Sequence, residues 1–234
     1  MAEVKDDNVK EFNSRWLSDG IGEDYKEWGR FSKNKLSRVY PNSVFIESPT
    51  GTGKTYFITN VLFPYAAKMH RHILYLGNRT ALKEQLISNL KKEYNTDVYT
   101  TASRNYDYIQ YPGSFYGITI LNYQSFLSFI KETDAYLLTE HFYYVILDEC
   151  HFFLEDSNFN SMTSLIYEKI FLTFLRSVIV FLSATIEEIR PFMENSLHMV
   201  HFLANTQSLY STFDRFILRY RNKYCHRAYN LFFL

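Results

Sequence analysis

The sequence is short of the features that would set it apart from an ordinary globular chain. It holds 2 cysteines in 234 residues, Cys150 and Cys225. That is too few for a disulfide framework and fits a reducing compartment. With 8 glycines and 5 prolines it is neither collagen-like nor a low-complexity linker. No apolar run is long enough to span a bilayer, because the greasiest region, 165–183, is broken by Glu168, Lys169 and Arg176. The first twelve residues, MAEVKDDNVKEF, lack the apolar centre of a secretory signal. These absences predict a cytoplasmic protein with no membrane partner. A charge bias is missing too, since Lys plus Arg and Asp plus Glu number 25 each. Bulk charge therefore neither predicts nor excludes a nucleic-acid partner, and a local basic strip remains compatible with it.

What is present is an aromatic core. Hydrophobic residues make up 47% of the chain, with 21 Phe and 20 Tyr, and the length suits one large domain. Short apolar runs at 43–47, 72–77, 98–101, 117–121, 143–149 and 177–183 read as strands. Between them, 54–70, 79–94, 123–132 and 164–175 have helical spacing, the second carrying Leu82, Leu86, Ile87 and Leu90 on one side. Pro64 is expected to kink or end the first of these helices. Continuous Val/Ile/Leu/Phe strands alternating with helices predict an α/β fold, a mainly parallel sheet with helices on both faces, in a single domain. Residues 1–42 read as a helical preamble and 206–234 as a basic, aromatic tail.

One turn carries chemistry. In SPTGTGKT, Ser48, Pro49, Thr50, Gly51, Thr52, Gly53, Lys54 and Thr55 lie between a strand and a helix. Glycines let the backbone approach phosphate oxygens, the helix start attracts the anion, Lys54 reaches the β- and γ-phosphates, and the Thr55 hydroxyl suits Mg²⁺. A nucleoside triphosphate is the expected ligand. The usual first glycine of such a loop is Ser48 here. Further along, VILDECH ends an apolar strand with Asp148 and Glu149, at the strand end where open α/β sheets bind ligands. Asp148 is suited to hold Mg²⁺ with Thr55, and Glu149 to orient and deprotonate a water.

Together with SPTGTGKT, the stretches LGNRTALKEQ (76–85), ITILNYQSF (118–126), DECH (148–151) and SAT (183–185) resemble motifs I, Ia, the Ib/Ic region, II and III of superfamily 2 DEAD/DEAH-box helicases, in order. The DECH form places the chain with the DExH relatives. The resemblance covers about residues 40–190 and implies a RecA-like P-loop ATP-binding domain at 43–205. It implies that Lys54, Thr55, Asp148 and Glu149 serve ATP and Mg²⁺, and that His151, Ser183 and Thr185 couple the nucleotide state to nucleic acid. Asn78, Arg79 and Thr80, with Tyr123, Gln124 and Ser125, would grip the phosphates of a DNA or RNA strand or duplex junction. Thr80 and Ser125 are equally suited to cap helices.

The pattern departs from the family in two places. No glutamine precedes Gln85, so the upstream glutamine that reads adenine in DEAD-box proteins is missing; Trp28, Phe31 and Tyr40 are candidates either for stacking on a base or for the core. The residues after SATIEEIRPFM lack the arginine-rich motif of a second RecA-like domain, which would act in trans or from a longer chain. The stretch 213–234, with Arg215, Arg219, Arg221, Lys223 and Arg227, suits nucleic-acid binding or an interrupted core element. The expected activity is that of a helicase or translocase motor domain, with a solitary nucleotide-binding module of little turnover as the alternative.

Overall fold

Every apolar run expected to be a strand is one. The computed structural model describes residues 9–29, 42–101, 106–131, 135–153, 161–174, 176–184, 199–205 and 215–220. Among these residues ten strands form one sheet: β1 (Val9–Asn13), β2 (Asn42–Glu47), β3 (His72–Gly77), β4 (Val98–Thr101), β5 (Tyr106–Gln110), β6 (Gly117–Asn122), β7 (Phe142–Asp148), β8 (Val178–Ser183), β9 (Met199–Asn205) and β10 (Arg215–Tyr220). Their order is β1-β10-β9-β2-β8-β7-β3-β6-β5-β4. The six central strands, β9 to β6 in that order, run parallel. Antiparallel pairs close the two sides, β5 and β4 beyond β6 and β10 and β1 beyond β9.

Strand alternation sorts the core into two layers, since successive side chains point to opposite faces. Val44, Ile46, Ile73, Tyr75, Ile118, Ile120, Tyr144, Ile146, Val178, Val180 and Leu182 share one cluster with Leu17, Phe57, Leu62, Phe63, Leu86 and Leu90. Helices α1 (Leu17–Ile21), α2 (Lys54–Tyr56), α3 (Phe63–Lys68) and α4 (Thr80–Tyr94) cover that face. The intervening residues, Phe45, Leu74, Leu76, Leu121, Val145, Leu147, Ile179 and Phe181, pack on the other side with Tyr123, Phe126, Leu138, Ile166 and Ile170. There α5 (Tyr123–Lys131), α6 (Ala135–His141) and α7 (Ser161–Thr173) form the cover. Both faces of β2, β3, β6, β7 and β8 are therefore dry, which is why they read as unbroken apolar runs.

Pro64 neither ends nor breaks its helix. The segment between α2 and α3, Phe57–Leu62, takes up the strain as a wider π turn. In an i→i+5 pattern the Thr59 carbonyl would look to residue 64, whose nitrogen carries no hydrogen. The Tyr94 hydroxyl donates to that carbonyl instead, at 2.6 Å.

Two expectations need correction, and one open alternative is decided. The helical preamble is in part a strand, because Val9–Asn13 pairs with β10 in the register Val9↔Arg219; an edge strand is specified by main-chain pairing more than by its own pattern. Residues Arg215–Tyr220 of the expected tail belong to the same sheet as the rest. Trp28 is core: it is buried and packs edge-on to Phe57 with ring centroids 6.0 Å apart. Phe31 and Tyr40 lie outside the described residues.

Candidate nucleotide-binding site

Parallel pairing brings the carboxyl ends of five strands to one edge of the sheet. Glu47 of β2 is level with Ser183 of β8, Asp148 of β7 with Leu182, Leu76 of β3 with Leu147, and Gly77 with Asn122 of β6. The residues that follow these ends are the candidate site residues, gathered from stretches 135 positions apart in sequence between Ser48 and Ser183.

The phosphate loop is held from inside. Ser48 is fully buried, and its hydroxyl and that of Thr52 are hydrogen bonded; Thr52 Oγ1 also donates to the Pro49 carbonyl at 2.8 Å. A hydroxyl that staples the turn explains how serine stands where the usual loop has glycine. Gly51 and Gly53 both have φ of 87°, a left-handed conformation that favours glycine. The main-chain N–H of Leu17 donates to the Thr52 carbonyl at 2.9 Å, so α1 braces the loop. The ring of Trp16, 44% exposed, stands 3.5 Å from where a Cβ on Gly53 would lie.

Lys54 Nζ donates to the carbonyls of Ser48 at 2.7 Å and Pro49 at 3.3 Å. Burial pulls its ammonium below the ordinary lysine pKa, offset in part by the charges of Glu149 and Asp148. Across from it, burial raises the Asp148 carboxyl above the ordinary aspartate value, opposed by a hydrogen bond from the Tyr75 hydroxyl. The Glu149 N–H donates to Asp148 Oδ1 at 3.1 Å. Glu149 itself has φ of 51°, backbone strain of the kind that collects at functional sites. His151 Nδ1 stands 3.2 Å from Glu149 Oε2 and 2.9 Å from Ser183 Oγ. Two of the three expected coupling residues thus meet beside Glu149; Thr185 lies outside the described residues. Thr55 is exposed at the start of α2. Among the described residues no group of three or more His, Cys, Asp or Glu gathers to hold a metal. Carboxylate and threonine oxygens alone nevertheless fit Mg²⁺, which keeps water and phosphate oxygens as its other ligands.

The expected strand-gripping residues form a second, adjoining group. Gln124 Nε2 donates to Asn78 Oδ1 and Asn122 Nδ2 to Thr80 Oγ1, each at 3.4 Å. Arg79, Thr80 and Gln124 are exposed and Ser125 half-buried. Thr80 does not cap α4, because the capping position is Arg79, which makes no side-chain cap bond. Tyr123 is the correction. It is fully buried, stacked on Phe152 at 5.4 Å, and donates its hydroxyl to the Asp148 carbonyl at 2.8 Å. As the first residue of α5 it turns into the core, so it does not face a strand. Sequence reading also passed over Tyr75 and Trp16; the signal for Tyr75 was a hydroxyl inside HILYLG, which is apolar after its first residue.

The family described as type III restriction enzyme, res subunit, matches residues 24–188, more than two thirds of the 234-residue chain. The chain belongs to that family. This res-subunit domain is a RecA-like, ATP-binding P-loop domain of the superfamily 2 helicase type. No curated protein matches it. Among solved structures it is similar to the large terminase of the thermophilic bacteriophage D6E, at 13% identity and a TM-score of 0.40 over 72% of this chain and 42% of that one. The same terminase in complex with ADP matches at 14% identity and a TM-score of 0.40. A mutant of the large terminase ATPase domain of Thermus phage P74-26 matches at 11% and 0.32, over 61% of this chain and 60% of that one. The chain spans 42% of the length of the D6E terminase. Among the described residues no helix is long and apolar enough to cross a membrane.

Proposed function

We propose that the chain is the motor domain of a nucleic-acid-dependent ATPase, a helicase or translocase, with the site between the phosphate loop and Glu149 as its hydrolytic centre. The observation that carries this reading is the meeting of Lys54, Asp148, strained Glu149, His151 and Ser183 at one end of the parallel strands. ATP phosphates would be cradled by the main chain of residues 48–55, and Lys54 would exchange its two carbonyl partners for phosphate oxygens. Glu149 would orient the attacking water and accept its proton. His151, between Glu149 and Ser183, would report the state of that carboxylate to the loop after β8. Thr55 and Asp148 would hold Mg²⁺, which when bound neutralises charge on the phosphate oxygens. A strand of DNA or RNA would lie across Asn78, Arg79, Thr80, Gln124 and Ser125, held by its phosphates.

Two substitutions test the nucleotide reading. Lys54→Ala should lower the affinity for a fluorescent ATP analogue at least tenfold. Glu149→Gln should keep that affinity and lose about 10² or more in turnover. Wild-type affinity in Lys54→Ala, or undiminished hydrolysis in Glu149→Gln, sinks the assignment.

A further inference from the structure

Resting on that reading, we propose that Tyr75 and Tyr123 are positioning residues that clamp Asp148 from the two faces of the sheet, holding its carboxylate toward the phosphate loop for the metal-nucleotide complex.

Tyr75 is level with Ile146 on β7, and strand alternation puts Ile146 and Asp148 on one face. It is the face that the loop's own helix covers. From there the Tyr75 hydroxyl, two positions short of the end of β3, donates to Asp148 Oδ2. Tyr123 belongs to the opposite core layer and donates to the Asp148 main-chain carbonyl at 2.8 Å. The Glu149 N–H, on Oδ1, completes the set. A carboxylate accepts about four hydrogen bonds through its two oxygens. With one taken on each, each oxygen keeps a lone pair for a cation or its water, while rotation of the group is blocked.

Packing alone does not call for these hydroxyls. Both tyrosines are buried, and a buried hydroxyl is unfavourable unless it is partnered. Phenylalanine would fill the same volume in the strand HILYLG. Tyr123 is followed by Gln124 and Ser125, so the clamp joins the carboxylate to the helix start proposed to meet nucleic acid.

The test is the affinity of a fluorescent ATP analogue measured in Mg²⁺ and in EDTA, for wild type and Tyr75→Phe, with thermal melting to show that the variant is folded. Outer partners of metal-binding groups commonly account for tenfold or more in affinity. Tyr75→Phe should therefore lose roughly tenfold of the gain that Mg²⁺ confers and keep the wild-type affinity in EDTA. A purely structural tyrosine would lower the melting temperature without splitting the two conditions. A folded Tyr75→Phe with the full wild-type Mg²⁺ gain overturns the clamp. If Tyr75→Phe does not fold, Tyr123→Phe carries the same expectation and the same refutation. Wild-type protein that binds no nucleotide in Mg²⁺ overturns the nucleotide reading itself, an outcome separate from failure of the clamp.

Discussion

Acid should unfold this protein earlier than its carboxylates alone would dictate, and the cause is His72. It opens β3 at the end of the sheet opposite the nucleotide site. Its ring stacks on His141 at 4.0 Å, lies 4.9 Å from Tyr116 and 6.4 Å from Tyr108, and its Nδ1 accepts the Gly117 N–H at 3.3 Å. Burial first, and then the charge of His141, depress its pKa from 6.5 to about 4. In the unfolded chain the ring binds a proton near 6.5, whereas the folded chain refuses one until about 4. The stability it contributes is therefore complete above pH 6.5 and drains away as pH falls from 6.5 toward 4. The full shift corresponds to roughly 3 kcal/mol. The ring is only half-buried, and solvent screening discounts this to about 1–2 kcal/mol. Urea unfolding of wild type and His72→Asn, which keeps an acceptor for Gly117, should be compared from about pH 7.5 to about pH 5. Carboxylates contribute equally to both proteins, so the difference between the two slopes isolates the histidine. Wild type should lose about 1 kcal/mol more than the variant over that range. Parallel pH dependences would refute the reasoning.

Two further outcomes follow from the geometry. Gly117→Ala should destabilise the protein by about 3 kcal/mol, because a Cβ there would lie 2.4 Å from the Ile109 carbonyl oxygen and 2.6 Å from Tyr108 Oη; a chemical melt within experimental error of wild type would show that the β5–β6 pair gives way freely. Arg79→Ala should leave nucleotide affinity unchanged and reduce the salt dependence of single-strand binding by about one phosphate contact, since its side chain is exposed at the capping position of α4, away from the helix that Lys54 begins. Titrations with an oligonucleotide at several salt concentrations read this directly, and an unaltered slope removes Arg79 from the interface.

Much of the architecture was legible because both faces of β2, β3, β6, β7 and β8 are covered. Runs such as VILD and VIVFLS need no alternation to be recognised, and the glycine-rich turn announces a strand on one side and a helix on the other. The side strands were harder. Tyr106–Gln110 is stabilised by its pairing with β4 and β6, and Val9–Asn13 by β10, partners remote from any local pattern. Pro64 did not end its helix because the turn before it widens to a π turn, and the Thr59 carbonyl left without a main-chain donor takes the Tyr94 hydroxyl from another helix.

The sequence by itself determined the class of fold, the phosphate loop and the acidic strand end, because backbone reach, glycine freedom and charge are properties of contiguous residues. It left open which strands are neighbours, and so which side chains meet. The tertiary structure decided that Tyr123 turns away from solvent to the back of Asp148, that Tyr75 reaches the carboxylate from the strand beside it, and that His151 sits against Ser183. Those contacts depend on the register of β3, β7 and β8, and register is set by the packing of whole layers, which no short stretch encodes.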